Sequence, residues 1–100
     1  MNNKEKLTLY RQNIDGLDEK IKKLLVERME IVKSVAEYKR ENNIEIFQAG
    51  REEDVLKKIT AGCDESLSDA LTLIYKAIMN ASKEYQQKHI SAEIINSEDL

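Results

Sequence analysis

Apolar side chains at Leu7, Tyr10, Ile14, Leu17, Ile21 and Leu24 recur in alternating steps of three and four. That is the seam of a helix packed along another helix. The seam continues through Ile31, Val32, Val35 and Tyr38, and between Lys4 and Glu41 only Gly16 disfavours helix, by about 1 kcal/mol relative to alanine. Asn2 and Asn3 can cap its start. Asn42-Asn43 can end it, because asparagine tolerates turn conformations and bonds its own backbone. The pattern therefore predicts a first helix over about 4–41. A second helix, about 49–61, carries Val55, Leu56 and Ile59 and meets Gly62 where a left-handed C-terminal cap is expected. Between the two, Ile44-Glu45-Ile46-Phe47 is predominantly apolar, which predicts a loop packed on the core. A third helix, about 67–89, shows apolar positions at Leu67, Leu71, Ile74, Ile78 and Tyr85. Ser66-Leu67-Ser68-Asp69 reads as its N-cap with an acidic first turn. The fold class is all-α, with one helical domain over 1–90. Ser91–Leu100 reads as a polar tail, frayed or the stub of a linker.

The length of the first helix bears on assembly. About 38 residues at 1.5 Å each make about 57 Å, whereas a compact chain of this size has a radius of gyration of about 13 Å. Part of the seam would be bare in a monomer. A second copy of the chain is the simplest cover, so the expected state is a two-fold homodimer.

Composition narrows the function. With 100 residues, 41% apolar, three glycines and no proline, the chain fits one domain of long helices. A net charge of −3 and an aromatic set of four tyrosines and one phenylalanine argue against nucleic acid as a partner. No run has the length of a membrane span, and MNNKEKLTLYRQN has no apolar stretch of signal-peptide length. Cys63 is the single cysteine, so no disulfide forms within the chain. A cytoplasmic location is the expectation.

Candidate chemistry lies where polar residues interrupt apolar stripes. After Leu24 the next heptad position holds Arg28, and Lys39 follows eleven residues later. Eleven steps of 100° return to within about 20° of the same face, about 16 Å along the axis. Two long cations can converge there on a small anion; the plainer reading is that both reach out to solvent. Arg11 lies too far along the helix to share a small ligand with Arg28, though in an antiparallel dimer it could reach the other subunit. Alone it reads as a surface arginine. Arg51-Glu52-Glu53-Asp54 opens the second helix; the acids suit the helix dipole and Arg51 does not. On the third helix the stripe leads to Ser82 and then Gln86, an inward polar pair that needs partners, either each other, the backbone or a ligand. His89 reads as a dipole-compensating residue near a helix end. No metal-ligand spacing, nucleophile–base pair or phosphate loop is present in the sequence, so no cofactor is expected.

These residues, taken in series, resemble the all-α chorismate mutases. The likeness rests on Leu9-Tyr-Arg11-Gln-Asn-Ile14-Asp15-Gly-Leu17-Asp18, Leu24-Leu25-Val26-Glu27-Arg28, Val35-Ala36-Glu37-Tyr38-Lys39, Arg51-Glu52, and Ile78-Met79-Asn-Ala-Ser82-Lys-Glu-Tyr-Gln86. It covers about residues 5–90. The resemblance implies an intertwined homodimer of three-helix subunits that rearranges chorismate to prephenate on the route to phenylalanine and tyrosine. It implies that Arg28, Arg51 and the other subunit's Arg11 clamp the two substrate carboxylates. Lys39 and Gln86 would hydrogen-bond the ether oxygen of the breaking bond, Glu52 would accept from the ring hydroxyl, and Ser82 would assist at a carboxylate. The resemblance also implies a substrate contact at Gln48, near the hydroxyl and partly through its backbone, although this position departs from the family pattern, in which an acid is common.

The list of residues suits that chemistry. A concerted rearrangement needs a dianion held in a reactive conformer and donors aimed at the oxygen where charge develops. Two other readings use the same scaffold. One is elimination of pyruvate from isochorismate, by lyases that resemble the mutases but tend to lack the pair at Glu52 and Ser82. The other is a non-catalytic dimerisation or regulatory module, which would need the seam but not Arg28, Lys39, Glu52 and Gln86 together.

Overall fold

The structure is a computed structural model that describes the backbone of residues 1–98 and the side chains of residues 1–90. Its described residues form three helices and no strand: α1 (Asn3–Glu41), α2 (Ala49–Thr60) and α3 (Glu65–Glu98). The all-α class expected from the periodicity is the class observed.

Local chemistry sets each boundary. At the start of α1 the Asn2 Oδ1 accepts from the Glu5 N–H at 2.8 Å, and the Glu5 Oε2 accepts from the Asn2 N–H at 3.3 Å. This reciprocal pair satisfies two backbone donors that the helix leaves without partners. At the other end Asn43 takes φ 54°. Its N–H donates to the Arg40 carbonyl, and the Ile44 N–H donates to the Lys39 carbonyl at 2.8 Å. That is a Schellman closure with asparagine in the left-handed position. Gly62, φ 76°, turns the chain after α2 as the sequence predicts. The N-cap of α3 is Asp64, not Ser66. Asp64 Oδ1 accepts from the Leu67 N–H and its carbonyl accepts from the Ser68 N–H, both at 2.8 Å. Aspartate is as good a cap as serine, and starting there adds Glu65 to the first turn, where an acid suits the dipole.

Helix α3 also runs further than its apolar stripe, to Glu98 instead of about residue 89. No glycine or proline interrupts the sequence there. The side chains of the expected tail over 91–100 lie outside the described residues.

Two compact units divide the chain, Met1–Ile31 and Val32–Leu100. The first is a helix whose seam is uncovered: Leu7, Tyr10, Ile14, Leu17, Ile21 and Leu24 are 48–62% exposed. In the second, α2 packs on α3, and the end of α1 is tied to α3 by Glu37 Oε1 and His89 Nε2, 3.2 Å apart. The loop before α2 is more open than expected. Ile46 is half-buried, but Phe47 is exposed and stacks on a lysine instead of entering the core. Buried described residues are few: Ala36, Met79, Ser82 and Gln86. Two of these are polar, and so little apolar burial is a weak basis for a stable lone domain.

Candidate active site

In the second unit the capped end of α1 presents Lys39, half-buried in the last helical turn. Its Nζ donates to the Ile46 carbonyl at 2.9 Å, so the closing loop fixes the lysine. Burial removes water from the ammonium and holds its pKa below the usual lysine range.

Glu52 stands in the first turn of α2, where a carboxylate is favoured. Its Oε2 lies 3.0 Å from the Lys83 Nζ of α3. The same ammonium sits 4.8 Å from the centre of the Phe47 ring, within cation–π range. Neighbouring Ser82 is buried, and its hydroxyl donates to the Ile78 carbonyl at 2.9 Å.

One turn on, Gln86 is 6% exposed and its Oε1 is fully buried with no hydrogen-bond partner. Leaving such a group unsatisfied costs about 1–3 kcal/mol. A native fold rarely keeps this cost unless a ligand or water meets the need.

These contacts form one chain in space: Lys39 to Ile46, Phe47 to Lys83, Lys83 to Glu52, with Ser82 and Gln86 on the same helix as Lys83. Lys39, Glu52, Ser82 and Gln86 thus belong to one unit. Arg51 begins the same α2 turn and is exposed. Gln48 is the N-cap residue of α2, but its side chain does not cap. Its Nε2 donates to the Glu45 carbonyl at 3.0 Å. Arg11, exposed, and Arg28, half-buried, lie in the first unit. His89 is not at a helix end, since α3 continues beyond it; it faces Glu37 instead. Sequence reasoning gave Lys83 no role of its own and placed Phe47 only in a core-packing loop. Lys83 lies off the apolar stripe, and only the fold brings its two partners to it.

The family model for type II chorismate mutase matches residues 10–87. The chain belongs to the type II chorismate mutase family. The match spans Arg11, Arg28, Lys39, Gln48, Arg51, Glu52, Ser82 and Gln86. A chorismate mutase of Methanocaldococcus jannaschii is 32% identical over 88 residues, covering 86% of this chain and 89% of that protein. A bifunctional chorismate mutase/prephenate dehydratase of Buchnera aphidicola is 37% identical over 84 residues, and one of Aquifex aeolicus 33% over 89 residues. They cover 82% and 84% of this chain, which spans only 22% and 25% of their own length. No solved structure matches the chain. Among the described residues no helix is long and apolar enough to cross a membrane.

Proposed function

We propose that this chorismate mutase family chain rearranges chorismate to prephenate in the cytoplasm, as a homodimer with shared active sites. The observation that supports this reading is that one unit holds both a half-buried lysine, Lys39, fixed by the Ile46 carbonyl, and a buried amide, Gln86, whose Oε1 has no hydrogen-bond partner. Both side chains supply N–H donors. In this reading they meet the ether oxygen of the breaking C–O bond as its negative charge grows, and the Gln86 amide turns so that its Nε2–H, not the unsatisfied Oε1, meets that oxygen. Donors fixed in place before the reaction need no reorganisation, so the gain falls on the transition state. No nucleophile or proton relay is required.

Arg28 and Arg51, with Arg11 from the other subunit, are assigned to the two substrate carboxylates, because the guanidinium fork matches carboxylate geometry. Glu52 is assigned to the ring hydroxyl and Ser82 to a carboxylate. Gln48 is assigned near the substrate hydroxyl, partly through its backbone, while its side chain holds the Glu45 carbonyl of the loop before α2. The homodimer is supported by the uncovered seam of α1. Burying one such side chain contributes about 1.5–3 kcal/mol, and a twofold partner would cover the same residues on both copies.

The test offers chorismate and isochorismate to the purified chain in parallel and identifies the products. Prephenate from the first and no pyruvate from the second supports the mutase. Pyruvate from isochorismate assigns the lyase. No turnover of either by a folded dimer assigns a non-catalytic module.

A further inference from the structure

Lys83 stands outside the roles assigned above, yet it occupies a crossing point. The loop before α2 contributes Phe47, α2 contributes Glu52 and α3 contributes the lysine, whose Nζ lies 4.8 Å from the ring centre and 3.0 Å from Oε2. We infer that Lys83 is a positioning residue: it neutralises and aims Glu52, so that a carboxylate can sit beside a dianionic substrate and accept from its ring hydroxyl.

The inference rests on the mutase reading and on a conflict within it. An ionised carboxylate is an acceptor without a proton of its own, which suits a hydroxyl donor. The same charge repels a substrate that brings two carboxylates. A counter-ion on the far oxygen removes the repulsion and leaves the near oxygen free to accept. Glu52 Oε2 is the oxygen on Lys83, and each carboxylate has a second oxygen. The Phe47 ring lies 4.8 Å from the same ammonium, where an aromatic face attracts a cation. A paired lysine with 29% of its side chain exposed adds little to stability. Its removal should therefore leave the fold standing and act on catalysis alone.

The experiment measures KM and kcat for chorismate with the full chain. Lys83→Met should raise KM about tenfold, the scale of one unneutralised charge near the substrate after screening, with kcat changed less. Lys83→Arg should restore most of the loss. In a Glu52→Ala background the same Lys83→Met step should raise KM clearly less than in the wild type, because the part that acts by aiming Glu52 has no carboxylate left to aim. An equal rise in both backgrounds would make Lys83 a direct substrate contact or a packing residue and overturn the inference. So would an unchanged KM in the single variant. Thermal melts are run alongside, and Lys83→Gln takes the place of Lys83→Met if that variant melts early. A wild-type chain without turnover removes the mutase reading and this inference with it. An active wild type with a flat variant series removes only the role of Lys83.

Discussion

Replacing Lys39 with alanine separates catalysis from folding. The substitution removes a charged hydrogen bond to the Ile46 carbonyl, worth about 1.5–3 kcal/mol net for a charged donor. Lys39 is only half-buried and solvent screens the bond, so the loss falls at or below the low end of that range. A net destabilisation of about 1 kcal/mol remains, or about 4–8 °C in Tm for a domain of this size. The effect on rate is larger. Losing a preorganised donor at a developing oxyanion costs about 2.7–4 kcal/mol, or about 10²–10³ in kcat. Steady-state chorismate loss and a far-ultraviolet circular dichroism melt measure the two quantities on one preparation. A variant within tenfold of wild-type rate would refute the assigned role, and so would a helicity loss that accounts for the lost activity. The pH arm carries the same logic with opposite signs. Because the folded-state pKa lies below the unfolded value, activity should fall as pH rises through the lowered pKa. The lysine's contribution to stability should rise over the interval up to the unfolded value, since the unfolded chain there binds more protons.

Gln86→Glu should shift activity to acidic pH, because only the protonated acid donates to the ether oxygen and burial raises a carboxyl pKa; a flat profile at full rate would remove Gln86 as that donor. The same variant should lose stability as pH rises, since its folded-state pKa would lie above the unfolded one, and melts at pH 5 and pH 8 check the sign. Ile21→Glu leaves an isolated helix little changed, the residue being exposed there, but places charge in the proposed dimer seam. Sedimentation should find monomers without activity, and persistent dimers would move the interface elsewhere. Asp64→Ala should cost about 1 kcal/mol through the lost α3 cap, read as a lower melting midpoint, whereas an unchanged midpoint would return the cap to Ser66.

The helices were legible because their signals are local and repeated. Six heptad positions from Leu7 to Leu24 announce α1, and Asn43 and Gly62 end α1 and α2 through left-handed backbone that few other residues accept. The α3 cap was misread because Asp64 and Ser66 are both good caps close together, and only geometry shows which oxygen meets an orphan amide. The candidate site was partly legible for a different reason. Lys39, Ser82 and Gln86 are polar residues on apolar faces, a mismatch visible in a one-dimensional pattern. Their roles came from resemblance to a family. Lys83 gave no such signal: it sits among other charged residues after Ser82, and its meaning depends on Phe47 and Glu52 arriving from two other elements. The Glu37–His89 contact is of the same kind. Tertiary ion pairs leave no period in the sequence.

The central claim is catalysis of one rearrangement by fixed donors around an ether oxygen. The purified chain is mixed with chorismate, its absorbance loss is followed against the spontaneous rate, and the product is identified. The account predicts loss far above the spontaneous rate, with prephenate formed in equal amount and no added metal or cofactor required. A folded, dimeric chain that leaves chorismate at its spontaneous rate of decay would contradict it.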